Sequence, residues 1–99
     1  MEKIEINNGK DYLVWRQGSG GTVEIFDIAV FSKRGVGAGT KMLQMLVDTV
    51  RGNTSLIWAM TRESNQNAHL FYEKRGFKLL AKLEGFYGDE SAYFYALKI

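Results

Sequence analysis

The sequence predicts a mixed α/β fold of order β-β-β-α-β-α-β-β, and three observations predict it. The first third alternates apolar and polar residues with a period of two, interrupted by Asn-Gly and Gly-Gly turns. The middle switches to the 3.6-residue period of a helix, and then to a short, wholly apolar run. A strand, a helix and a buried strand in succession imply a right-handed parallel crossover inside an otherwise antiparallel sheet.

Each element has its own signal. Ile4 and Ile6 alternate with charged neighbours, and the Asn7-Asn8-Gly9-Lys10 sequence that follows supplies the positive φ of a tight hairpin turn. Tyr12 to Arg16 is the return strand. After Gly18-Ser19-Gly20-Gly21, Thr22 to Phe31 makes a longer third strand, rich in β-branched and aromatic residues. Leu43, Leu46, Val47 and Val50 stand at i, i+3, i+4 and i+7, the apolar stripe of a helix from about Gly37 to Arg51. Gly52-Asn53 stops it. Leu56 to Met60 is continuously apolar, as expected of a strand buried on both faces. Ser64 or Asn65 can cap a second helix whose inner face is Ala68, Phe71 and Tyr72, closed by Gly76. Phe77 to Leu83 and Ala92 to Ile99 finish the chain as two strands joined by a Gly/Asp loop.

Ninety-nine residues with 45% hydrophobic and 13% aromatic content suit one domain spanning residues 1–99 with a real core. No cysteine is present and histidine occurs once, which excludes disulfides, thiolate metal sites and any cluster of metal-ligating residues. No apolar run approaches the roughly 20 residues that span a bilayer. The N-terminus is charged and alternating, so a cytoplasmic location is expected. Thirteen basic against eleven acidic residues, scattered along the chain, make no nucleic-acid patch.

The chemistry concentrates between the third strand and the first helix, at Arg34-Gly35-Val36-Gly37-Ala38-Gly39-Thr40. Unpaired amides at a helix N-terminus sit at the positive end of its dipole and attract anions, and glycines remove the Cβ atoms that would keep a phosphate away. A Walker A loop is excluded, because Lys41 is followed by Met42 rather than Ser or Thr. A dinucleotide fingerprint fails as well: position 40 is Thr where Gly or Ala is wanted, and neither Met60 nor Thr61 is acidic. A glycine-rich turn without a ligand remains as the plain alternative.

What is left is Arg-x-x-Gly-x-Gly, from Arg34 through Gly37 to Gly39. It resembles the pyrophosphate-binding signature of the GNAT N-acetyltransferases. Ser64-Asn65-Gln66-Asn67-Ala68-His69-Leu70-Phe71-Tyr72-Glu73-Lys74-Arg75-Gly76-Phe77 is similar to that family's Asn-x-x-Ala-x-x-Phe/Leu-Tyr-x-x-x-Gly-Phe helix. Two motifs in order and correctly spaced are more specific than either alone.

The resemblance implies a GNAT-like acyl-CoA N-acyltransferase fold and transfer of acetyl from acetyl-CoA to a primary amine of a small molecule or protein, without a metal. The backbone of Ile28, Ala29 and Val30 would pair with the pantetheine arm like an added strand. The amides of Gly35, Val36, Gly37, Ala38, Gly39 and Thr40, beside Arg34, would meet pyrophosphate. Asn65 would hold the pantetheine arm, and Tyr72 matches the tyrosine that protonates the departing thiolate. The amide of Val30 is the candidate oxyanion donor, and Glu24 the candidate general base. Asp27 falls on the other face of the strand unless a bulge shifts the phase. Each has a plain alternative: Tyr72 as a core tyrosine, Asn65 as a helix cap, Glu24 as a solubilising strand carboxylate, Arg34 as a charge beside the loop. His69 lies off the inner face and reads as a solvated surface residue.

Relatives begin with a strand and two helices that wall the acceptor site, and this chain starts directly at the meander. Its acceptor side is therefore expected to be open or covered by a second copy in a homodimer. The competing function is a non-catalytic acyl-CoA-binding module that has lost its acceptor site. Tyr87-Gly88-Asp89-Glu90-Ser91-Ala92 faintly resembles the tyrosine loop of enzymes that acetylate protein N-termini, but Met60 stands where those enzymes often carry glutamate.

Overall fold

The computed structural model describes residues 1–32 and 37–99. Six strands and two helices follow in the expected order: β1 Glu2–Ile6, β2 Asp11–Gln17, β3 Thr22–Val30, α1 Ala38–Val50, β4 Leu56–Arg62, α2 Gln66–Lys74, β5 Lys78–Leu83 and β6 Ala92–Lys98. The strands form one sheet in the order β1-β2-β3-β4-β6-β5. Only β3 and β4 run parallel, joined by the α1 crossover.

Both helices pack on one face of the sheet. Met42, Leu43, Leu46, Val47 and Val50 of α1 and Tyr72 of α2 join Leu13, Val23, Ile25, Ile57, Ala59 and Tyr95 in a single core cluster. This placement corrects the expectation for β4. Ile57, Ala59 and Thr61 are buried, but Leu56, Trp58 and Met60 are only half-buried, because no helix covers their side. The open face instead carries a Trp58–Phe94 stack, with ring centres 5.2 Å apart.

The first turn also differs in detail. Ile6 pairs with Asp11 across a four-residue connection in which Asn7, Asn8 and Gly9 all hold positive φ. Asparagine tolerates that conformation better than most residues, so the Asn-Asn-Gly run fits a longer turn than the two-residue hairpin.

The bulge is the feature that shapes the site. Between Val14 and Trp15 the β2–β3 register shifts, so that Glu24 faces Arg16, Ile25 faces Trp15 and Asp27 faces Val14. Phe26 is the additional residue on β3. Arg16 and Val14 are two positions apart, so Glu24 and Asp27 fall on the same, open face. Past this point β3 leaves β4: the parallel pairing covers only Thr22–Glu24 against Leu56–Trp58. The edge of β3 from Ile25 to Val30 pairs with β2 alone, and a cleft opens between the two strands.

Candidate active site

The cleft is bounded by α2, whose first residues are set by Asn65. Its Oδ1 accepts the amide of Ala68 at 3.1 Å, a side-chain cap that fixes where the helix begins. From that start, Ala68, Phe71 and Tyr72 face the sheet. Ile28, Val30, Asn65, Asn67, Ala68, Phe71 and Tyr72 line a cavity of about 230 Å³. An adjoining cavity of about 270 Å³ shares Ile28, Asn65, Ala68 and Tyr72 and adds Asp27, Met60, Thr61, Arg62 and Tyr87. Sharing four lining residues, the two cavities adjoin along β3 and α2 and together make the channel.

The start of α1 packs against Phe71, a lining residue of the first cavity. Gly37 is its N-cap with φ of 72°, and no side chain caps the helix. The first intrahelical bond is donated by the Lys41 amide to the Gly37 carbonyl at 2.9 Å. The amides of Ala38, Gly39 and Thr40 therefore have no acceptor within the helix and stand at its positive pole. A Cβ on Gly37 would meet no atom of the described residues within 4 Å. Gly39 is different: a Cβ there would overlap the Phe71 ring. Arg75 completes the junction, its guanidinium 3.9 Å from the centre of the Phe71 ring, with Nε donating to Thr40 Oγ1 at 3.0 Å. These contacts lock α1 and α2 together beside the cavity. Arg34, Gly35 and Val36 lie outside the described residues.

Tyr72 is 4% exposed, set among Phe71, Phe77 and Tyr95. Burial, reinforced by the negative charge of Asp27, pushes its hydroxyl well above the ordinary tyrosine pKa. It stays protonated throughout the neutral range. Tyr95, beneath it, donates its hydroxyl to Glu73 at 2.8 Å, and burial followed by that bond raises its pKa to about 12.

The carboxylates separate cleanly. Glu24 is buried and accepts Arg16 Nε at 2.7 Å, in an ion pair that also places Arg16 over the Phe26 ring. It is not among the residues lining the channel. Asp27 does line it, on the same channel wall as Ile28. Ala29 pairs with Tyr12 across the sheet and is not among the residues lining either cavity. His69 is half-buried rather than solvated: its ring stacks on Tyr93 at 4.7 Å and its Nε2 lies 3.0 Å from the Arg62 carbonyl. The aromatic partner stands on β6, far along the sequence from His69, which periodicity alone could not reveal.

One functional-looking residue has no sequence signal. Asp11 is fully buried at the start of β2, where it accepts the amides of Phe31 and Ser32 at 2.8 and 2.9 Å. The Ser32 hydroxyl and Asn7 Nδ2 donate to its other oxygen. Asp11 thereby fastens the end of β3 immediately before residues 33–36.

No group of His, Cys, Asp and Glu side chains that could hold a metal occurs among the described residues. None of the helices is long and apolar enough to cross a membrane.

Comparison with known proteins places this geometry. No curated protein sequence matches the chain. Among solved structures, one assigned as a streptothricin acetyltransferase from Bacillus anthracis, in complex with acetyl coenzyme A, superposes with a TM-score of 0.86 at 25% identity, covering 96% of this chain and 59% of that one. The ribosomal-protein-S18-alanine N-acetyltransferase from Escherichia coli gives 0.77 at 26% identity, covering 95% and 64%. Ard1 from Thermoplasma volcanium gives 0.79 at 26%, covering 90% and 62%. The chain thus spans less than two thirds of the length of these structures. The family model described as Acetyltransferase (GNAT) family matches residues 5–77, which includes the meander, the crossover and all of α2. The chain belongs to the GNAT acetyltransferase family.

Proposed function

We propose that residues 1–99 form one cytoplasmic domain that binds acetyl-CoA along the channel and transfers its acetyl group to a primary amine. The observation that carries this reading is the convergence of Ile28, Val30, Asn65 and Tyr72 on one narrow cavity. The free edge of β3 offers backbone groups to an extended, amide-bearing arm, as an added strand would. The uncapped amides of Ala38, Gly39 and Thr40 suit a pyrophosphate, with Arg34, Gly35 and Val36 completing the loop in the same reading. Acetyl-CoA supplies an activated acyl group as a thioester.

The chain's own groups then have distinct tasks. A neutral amine attacks the thioester carbon, and Asp27, exposed at the channel, receives the proton that the nitrogen sheds as the C–N bond forms and passes it to solvent. As the C–N bond forms, the oxygen gathers negative charge near the β3 amides, with that of Val30 as donor. When the C–S bond breaks, Tyr72 gives its proton to the thiolate and is reprotonated from solvent. The net transfer moves one proton from nitrogen to sulfur. Glu24 retains the role of holding Arg16 and bracing the bulge, and its candidacy as base is tested against Asp27 below.

A second reading, a module that binds acyl-CoA without turnover, is favoured by the open sheet face, where Phe26 is 52% exposed. Two measurements separate the readings. Acetyl-CoA should raise the melting temperature under either. Only the enzyme releases a free thiol in the presence of an amine such as a lysine-containing peptide. The chain has no cysteine, so a thiol reagent reports CoA alone. Binding without thiol release across a panel of amines favours the module, and no binding rejects both.

A further inference from the structure

Thr61 carries the one buried side-chain oxygen that lacks a hydrogen-bond partner among the described residues. It is 6% exposed, lies on β4 opposite Tyr93, and lines the channel together with Asp27 and Tyr72. Burying a hydroxyl without a partner is unfavourable, and valine would fill the same volume without that cost. An unpaired hydroxyl on a residue that lines a cavity is instead suited to a ligand that completes it.

We propose that the Thr61 hydroxyl donates a hydrogen bond to the acetyl carbonyl oxygen of the bound thioester. This rests on the acetyl-CoA reading above and adds the recognition of the acyl group to it. Three features select the acyl end over other parts of the ligands. Thr61 lines the same cavity as Asp27 and Tyr72, the two groups assigned to the reacting amine and the departing thiolate. By strand register Thr61 points to the helix-covered face with Ile57 and Ala59, whereas Asp27 falls on the open face from which an amine arrives. The acyl group is the portion of the ligands that lies between those two sides. A donor there polarises the carbonyl and strengthens its bond as the oxygen becomes negative.

The test is direct titration of acetyl-CoA and of CoA into the wild type, Thr61→Val and Thr61→Ser, with melting of each unliganded protein. Thr61→Val should weaken acetyl-CoA about tenfold, the worth of one hydrogen bond, and leave CoA affinity unchanged. Its unliganded melting temperature should equal or exceed that of the wild type, since the substitution removes an unpaired hydroxyl. Thr61→Ser should restore acetyl-CoA affinity. The inference is overturned if Thr61→Val affects both ligands equally or neither, or if it lowers the unliganded melting temperature, which would reveal a structural partner. A wild type that binds neither ligand rejects the acetyl-CoA reading itself.

Discussion

Gly39 lies so close to the edge of the Phe71 ring that a Cβ would overlap ring atom Cε1. Arg75 stacks over the same ring and donates to Thr40, so Phe71 is the key piece of the joint between the two helices. The glycine-rich signature therefore contains glycines with different jobs. Gly39 permits helix–helix contact, and Gly37 permits a left-handed cap at which a Cβ would meet no atom of the described residues.

The two glycines should part company on substitution. Gly39→Ala must displace Phe71 and should cost about 1–3 kcal/mol, the usual range for overpacking. Gly37→Ala meets no neighbour among the described residues and should cost about 1 kcal/mol, from the positive φ. Urea unfolding of both variants checks the order. Gly37→Val should also abolish the acetyl-CoA-dependent rise in melting temperature, because a branched side chain would fill the approach to the helix amides.

The Asp11 clasp predicts an acid-sensitive stability. The Ser32 hydroxyl bond first, with Asn7 and the amides of Ser32 and Phe31, lowers its pKa from 3.8 to about 2. A carboxylate with a lowered folded pKa takes up its proton more readily in the unfolded chain. Its contribution is complete above about pH 4 and is lost as the pH falls towards 2. Asp11→Asn should be less stable at pH 7 and should show a flatter stability profile between pH 4 and 2. Acetyl-CoA should also bind more weakly, since Phe31 and Ser32 lead into the loop. An unchanged acid limb would show that Asp11 is not the group that titrates.

Why some of this was legible and some not follows from the range of each interaction. The strand and helix order depends on local periodicity, and Asn65 and Tyr72 lie within one short helical motif. Asn65 and Tyr72 of that motif line one cavity with Ile28 and Val30, whereas Arg34, Gly35 and Val36 of the glycine-rich motif lie outside the described residues. The β3 bulge leaves no mark in Glu24-Ile25-Phe26-Asp27, because its cause is the register against β2. Phe31 and Ser32, which Asp11 fastens, are 20 and 21 residues away from it. Leu56 to Met60 misled for a different reason: apolar residues on both sides of a strand indicate burial only when something covers both sides.

That uncovered side makes a prediction about assembly. Val14, Trp58, Met60 and Phe94 are half-buried, and Phe26 and Leu80 are 52% and 60% exposed. Apolar surface of this kind is a common mark of an interface. A homodimer is the expected state, and light scattering at micromolar concentration should give twice 11.2 kDa. Phe26→Lys should return the mass to 11.2 kDa. A monomeric wild type would leave this face to water or to a different partner.

Tyr72→Phe should separate binding from chemistry. The hydroxyl is raised in pKa by burial and by Asp27, so it remains a proton donor across the working range. Removing it should leave acetyl-CoA affinity within about twofold and reduce turnover by about 10²-fold, at the low end for loss of a positioned acid. The wild-type rate should show no alkaline loss from Tyr72 below about pH 10. Equal loss of affinity and turnover would make Tyr72 a packing residue.

The two carboxylates of β3 offer the sharpest comparison, since the bulge sets them on one face with different surroundings. Glu24 is held by Arg16 at 2.7 Å, and a base already engaged in an ion pair must give up that bond to take a proton. Asp27 is exposed, lines the channel and is near enough to Tyr72 for its charge to act on that hydroxyl. Asp27→Asn should therefore lower turnover about 10²-fold, with acetyl-CoA affinity retained. Glu24→Gln should keep most of the turnover and show its main effect on stability, by about 1 kcal/mol or less because Arg16 is nearly half exposed. The reverse result, with turnover lost in Glu24→Gln and kept in Asp27→Asn, would return the base to Glu24 and require Arg16 to release it when the amine binds.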